Sequence, residues 1–444
     1  MNMFDFSNIK IKEKSFKDYN ILNSRFDFKD NLRLLILTIK IHSKKREINT
    51  DDILESFNNS KFSFSYLGYV YDININFGAS INPNSGIANG WNVHLYVYNI
   101  IREDIQEGKF KFSLFNISDK ILQDFKGYPD GGFSNSLLLF NIGNIPWKLE
   151  DIHFLEKKDR SNFIQNGVLI NNKSLNYLDV KSQMFYICRI ISFITRKDVC
   201  CMESFDENGV LIETFEYKAK PFGGDTEIIN IFAHSSISKF ISQGYAVYKQ
   251  DEDWWLLTLN YFKETRFANA LESKMLLACI LLERISKKFL SPIKGIIDSS
   301  LSEKKDDILK LFNSELSKIL DHWDEKRSEN LFNIIKGWDS SRSLSVAIEE
   351  LSKEYQVPKL FKELPAFRGA LAHNGVWGKN IDVYKASLAY QELDLFLIIL
   401  ILRKLGYKGK FTHDFIQNRE MVFLDMKDLN NKKNLSDFND MRIG

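Results

Sequence analysis

The chain has 444 residues, 44% hydrophobic and 27% charged, with a formal net charge of +2, values of an ordinary globular protein whose overall field is too weak to announce a polyanionic partner. Its length exceeds what one compact core usually spans, so at least two domains are expected. The cysteines, Cys188, Cys200, Cys201 and Cys279, form neither a small disulfide framework nor the paired Cys-x-x-Cys spacing of a zinc site, and the adjacent pair reads as a strand or turn feature.

The opening stretch MNMFDFSNIKIKEKSF has no continuous apolar run of signal-peptide type. No window reaches the ~20 apolar residues needed to span a bilayer. The expectation is a cytoplasmic protein with no membrane association.

Along the first half, aromatic and β-branched residues alternate with polar ones, the period of half-buried strands. Lys61 to Ile81 and Trp91 to Ile100 are strand-like, separated by the turn-rich NPNSGIANG. KFKFSLFNI around Phe110 and SLLLFNI around Leu138 continue the pattern, with GYPDGG between them as a loop. DVCCMESF and LIETFEYK flank the turn DENG, Asp206 to Gly209, and propose a hairpin.

From about Ile237 the apolar period becomes helical. Phe267 to Leu290 places Ala270, Met275, Leu276, Ile280, Leu281 and Ile285 on one broad face, with Ser291 and Pro292 ending it. KDDILKLFNSELSKILDHW, SENLFNIIKGW and SLSVAIEELSKEY are further helices, and a long one runs from about Asp382 to Leu405. Its apolar stretch DLFLIILILRKLG is short and ends in basic residues, so it reads as a buried helix. The fold class expected is α+β: a β-rich N-terminal domain over residues 1–245, an all-α bundle over 250–425 and a polar tail over 426–444, with the seam between Gly244 and Trp254.

No P-loop, dinucleotide fingerprint, His-Glu-x-x-His helix or Gly-x-Ser-x-Gly turn is present. His94 sits in a strand pattern and His322 on a helical turn, both in structural or surface settings; His42, His153, His234 and His413 carry no local signal. That leaves His373, in FRGALAHNG, five positions after Arg368. On an ideal helix the two would lie about 140° apart. Pro365 and the glycines at 369 and 375 mark a helix start, where ideal geometry is not enforced, and both side chains can converge on one cleft. By spacing alone, a surface arginine and a helix-capping histidine is the commoner reading.

Chemically the pair suits phosphodiester cleavage. Histidine titrates near neutrality and serves as general base or acid, worth ~100-fold to 10,000-fold. Arginine supplies a permanent charge and a forked donor for the phosphate. In RNA the nucleophile, the 2′-hydroxyl, is built into the substrate, so the scheme calls for no metal and no cofactor.

Arg368 and His373, preceded by several amphipathic helices and followed by a long one, resemble the Arg-x4-6-His signature of the HEPN superfamily of small helical ribonuclease domains. WWLLTLNYFKETRFANALESKMLLACILLERI, with its Trp-rich entry, NALESK helix start and later LLERI, resembles more narrowly the ApeA-like HEPN proteins of bacterial antiphage defence. The resemblance covers roughly Trp254 to Tyr407. It implies a metal-independent endoribonuclease effector that cleaves host RNA, transfer RNA being one candidate, to produce growth arrest or abortive infection. Arg368 would bind and polarise the scissile phosphate and His373 would transfer protons. Many members carry Asn directly after the arginine; here it is Gly369, and Asn374 is the neighbouring amide able to assist. An upstream acid often accompanies the motif, with Glu272 and Glu283 as candidates, though a solvated or salt-bridged helix residue is the commoner fate of such a glutamate. The resemblance also implies a homodimer or higher homo-oligomer through the helical domain, with two sites lining one RNA cleft, and a phage-derived trigger sensed at the N-terminal domain. Aromatics such as Trp91, Tyr96 and Tyr98 are candidates to line a ligand site there, although an aromatic stripe in strands is more often core. The alternative is a non-catalytic HEPN dimerisation or RNA-binding module with a ligand-sensing N-terminal domain.

Overall fold

The computed structural model describes residues 11–12, 19–29, 34–43, 62–83, 90–117, 137–151, 165–215, 228–229, 234–290, 304–318, 323–340, 344–355, 364, 367–369, 371, 382–414 and 421–425. The fold is α+β, and the chain divides into two compact units, Met1–Glu252 and Asp253–Gly444.

The first unit is built on a twelve-stranded sheet of antiparallel pairs. Its strands are β1 (Ile11–Lys12), β2 (Tyr19–Lys29), β3 (Leu34–Ser43), β4 (Phe62–Tyr66), β5 (Tyr69–Pro83), β6 (Gly90–Arg102), β7 (Phe110–Phe115), β8 (Leu137–Ile142), β9 (Ile145–Asp151), β10 (Gln165–Asn171), β11 (Cys200–Asp206) and β12 (Leu211–Thr214). The main order is β1-β4-β5-β6-β12-β11-β7-β10-β9-β8, and the sheet branches at β6, which pairs with β3 as well, β3 in turn pairing with β2. Alternation predicts this face by face: Val93, Leu95 and Val97 of β6 are buried with Leu37, Ile39 and Ile41 of β3.

The stretch Lys61 to Ile81 is not one strand. It folds back at Leu67 and Gly68, whose φ angles of 47° and 84° give a two-residue turn with positive φ at both centres, the geometry that matches the twist of a hairpin. The DENG hairpin forms between β11 and β12, with Asp206 Oδ1 accepting from the backbone N–H of Asn208 and of Val210 and Gly209 at φ 80°. Cys200 and Cys201 lie in β11, neither of them in a disulfide. GYPDGG lies outside the described residues.

Two helices of this unit lie among the described residues. α1 (Tyr177–Thr195) is not anticipated by strand alternation; Asn176 caps it by accepting from Leu178 N–H. α1 packs against β7 and β11 and is fastened by polar bonds. Buried Glu213 accepts from Tyr177 Oη at 2.8 Å, Lys181 Nζ at 2.7 Å and Asn99 Nδ2 at 3.0 Å, and Trp147 Nε1 donates to Gln183 Oε1 at 2.9 Å. α2 (His234–Gln250) packs on α1 and β8. The helical period beginning near Ile237 is this helix, which lies within the first unit and packs on the edge of its sheet.

The second unit contains α3 (Glu252–Phe267), which opens at the seam, α4 (Leu271–Phe289), α5 (Lys305–Leu316), α6 (Glu325–Ser340), α7 (Leu344–Glu354) and α8 (Val383–Lys404). α4 packs against α7 and α8, and α5 against α6. α8 starts at Asp382, whose side chain accepts from Tyr384 N–H, and buries Leu393 and every residue from Leu395 to Leu402, as expected of an apolar interior helix. Phe267 to Leu290 is not a single helix: α3 ends at Phe267 and α4 begins at Leu271. After α8 a two-stranded hairpin follows, β13 (Lys410–Asp414) and β14 (Met421–Asp425), so residues 250–425 are not wholly helical. No helix among the described residues is long and apolar enough to cross a membrane. The polar tail over 426–444 lies outside the described residues.

Candidate functional site

Glu283 lies in the second half of α4, directed outward because Leu282 and Ile285 take the buried face. Arg368 sits between Phe367, 6% exposed, and Leu371, 3% exposed, two apolar anchors that hold its short helical stretch against the interior. Arg368 Nε donates to Glu283 Oε1 at 3.1 Å and Nη2 reaches the same oxygen at 2.9 Å. The side chains are 39% and 34% exposed, so the pair is open to a ligand and held without full desolvation.

Of the two glutamates nominated from sequence, the fold selects one. Glu272 is in the first turn of α4, eleven residues and about 16 Å along the axis from Glu283, where a carboxylate complements the helix dipole. It does not join Arg368. Gly369 has an ordinary φ, and nothing comes within 4 Å of a Cβ built on it. His373 and Asn374 lie outside the described residues.

Cys279 is one turn before Glu283 and 1% exposed. Burial pushes its thiol up to about 12, with Glu283 raising it further and Arg368 opposing. It stays a protonated thiol at neutral pH and does not serve as a nucleophile. Among the described residues no group of three or more His, Cys, Asp or Glu is placed to hold a metal ion.

A second acid–base cluster, without a local sequence signal, lies at the middle of α8. His413 Nε2 of β13 is 3.0 Å from Asp394 Oδ2, and Arg266 at the end of α3 also bonds that oxygen. Asp394 is 2% and His413 1% exposed. No substrate reaches groups so enclosed, so the cluster fastens α3, α8 and β13 together. The signal that nominated His373, an arginine nearby in sequence, is absent at His413, which meets Asp394 of the preceding helix, and Asp394 in turn takes Arg266 from α3.

In the first unit, Trp91, Tyr96 and Tyr98 do not line one site. Trp91 has the parity of Val93 and Leu95 and packs against the core they form, while Tyr96 and Tyr98 point to the opposite face. His94 Nδ1 is 3.0 Å from Thr38 Oγ1 on β3, a cross-strand structural bond.

No family model matches the chain, and no curated protein or solved structure does either.

Proposed function

We propose that the second unit is a metal-independent endoribonuclease of HEPN type, acting as an effector of bacterial antiphage defence that cleaves host RNA. The observation supporting this is the meeting of Arg368 with Glu283, 85 residues apart in the chain, on an open surface: an arginine and an upstream acid, each singled out from sequence by the same resemblance, share one site. In the free protein Glu283 holds the Arg368 guanidinium in one orientation. When RNA binds, the arginine's remaining N–H groups take the scissile phosphate and stabilise the charge that grows on it. His373 moves the proton as the 2′-oxygen attacks phosphorus and the bond to the 5′-oxygen breaks, leaving a 2′,3′-cyclic phosphate and a 5′-hydroxyl. Two copies of the chain would place two such sites along one strand. The first unit would sense the phage-derived trigger and restrain the nuclease until it arrives.

The test is incubation of the purified full-length protein with total RNA in the presence of a chelator. Cleavage by wild type, lost in Arg368→Ala and in His373→Ala with unchanged thermal unfolding, is the expected result. Both variants cleaving at the wild-type rate would end the assignment, and a gel shift without cleavage would move the reading to a binding module.

A further inference from the structure

Beside the Arg368–Glu283 pair, the second unit carries an alternation of rings and cations. Arg284, the residue after Glu283, holds its guanidinium carbon 5.5 Å from the centre of the Trp254 ring. Trp254 lies 4.9 Å from Phe289, and Phe289 lies 6.0 Å from Tyr355. The Lys404 ammonium, at the end of α8, is 4.1 Å from the Phe289 centre and 5.1 Å from that of Tyr355. Trp255, 3% exposed and edge-on to Trp254 at 4.9 Å, anchors the group from below. Trp254, Arg284, Phe289, Tyr355 and Lys404 are all partly exposed.

Cation–ring contacts and cations near helix C-termini are common and stabilise modestly on their own. Two features go beyond that. The hydrogen bonds of both cations end on uncharged groups: Arg284 donates to Thr258 Oγ1 and Trp254 O, each at 3.3 Å, and Lys404 to Tyr355 Oη at 3.0 Å. Burial draws the Lys404 ammonium below the usual lysine range, with Glu354 acting through space in the opposite direction. An anion arriving here therefore meets positive charge that is positioned but only weakly compensated. The cluster also continues directly from the candidate site, since Glu283 to Phe289 on α4 is ~9 Å of helix rise.

We propose that this ladder is a sequence-tolerant site for single-stranded RNA, with bases stacking on Trp254, Phe289 and the Arg284 plane while Arg284 and Lys404 take phosphates of the strand flanking the scissile bond. Single-stranded nucleic acid is the occupant that needs both elements, because every base offers a ring face and every linkage a charge. The proposal rests on the ribonuclease reading for its role, but its binding step stands separately.

The experiment measures binding of a fluorescent 2′-O-methyl 12-mer, which cannot be cleaved, to full-length wild type, His373→Ala and the double variant Arg284→Met/Lys404→Met. Methionine keeps the apolar stems, and Arg284→Lys/Lys404→Arg keeps the charges as a folding control. The expected result is His373→Ala binding as wild type, the methionine variant binding on the order of 10-fold more weakly with a shallower salt dependence, and the charge-conserving variant recovering most of the loss. Equal binding and equal salt dependence in the methionine variant would overturn the proposal. So would displacement of the strand by poly-glutamate as readily as by unlabelled RNA, which would indicate an acidic protein partner. Wild type that binds the 12-mer through these residues but cleaves no RNA would sink the ribonuclease reading and leave this site standing. Wild type that cleaves RNA with the same KM as the methionine variant would do the reverse.

Discussion

Arg368 and Glu283 meet through two contacts to a single carboxylate oxygen, at 3.1 and 2.9 Å, while Glu272 on the same helix stays about three turns away. Glu283→Gln keeps the shape and removes the charge that orients the guanidinium. RNA cleavage should fall about 10-fold or more, while stability changes by less than about 1 kcal/mol because the pair is partly solvated. Glu272→Gln should cleave at the wild-type rate. Equal rates for wild type and Glu283→Gln would remove Glu283 from the site.

Gly369→Asn should fold and gain stability by roughly 0.5–1 kcal/mol, since the position has open space and an ordinary φ and glycine's freedom in the unfolded chain is lost. On the ribonuclease proposal it also supplies the amide that many HEPN domains carry after their arginine, so the cleavage rate should rise. Chemical denaturation and single-turnover kinetics check the two parts, and a folded variant with slower cleavage would contradict the second.

The enclosed Asp394 holds both His413 and Arg266. Asp394→Asn leaves Arg266 without its counter-charge and should cost about 3 kcal/mol or more in urea unfolding. His413→Ala leaves the Asp394–Arg266 bond intact and should cost less, about 1–3 kcal/mol. The reverse ranking would mean the histidine, not the carboxylate, is the centre of the cluster.

Burial pushes the Glu203 carboxyl up to about 7. The folded protein keeps this proton where the unfolded chain, titrating near ~4.3, has released it. Folding is then proton-linked: the group's contribution is most favourable below ~4, declines as pH rises toward about 7, and is level above that. Glu203→Gln should match wild type at pH 4 and exceed it at pH 8 by about 1–2 kcal/mol, a value reduced for partial exposure. Thermal melts at both pH values check this, and an equal difference at each would disprove the linkage.

What local pattern determined is what local physics controls. The alternation in β6 and β7, the DENG turn with Gly209, and the capped apolar helix from Asp382 follow from side-chain period, turn conformation and N-cap bonds, all contained within a few residues. The hairpin at Leu67 and Gly68 escaped because the alternation runs unbroken on both sides and leucine is not a turn residue. α1 escaped because Met184 to Thr195 is nearly all apolar, with Arg189 and Ser192 the main polar positions on its less buried stripe, which leaves only a weak trace of the amphipathic period that marks a surface helix. The sequence by itself nominated Arg368 and two glutamates; only tertiary packing chose Glu283, by setting α4 beside the Phe367–Leu371 anchors. Arg266 and Asp394, or Phe289 and Lys404, carry no mutual signal in one dimension. Their pairing exists only because α3, α4 and α8, from distant parts of the chain, bury their apolar faces in one unit, and burial then requires the charges they bring along to find partners.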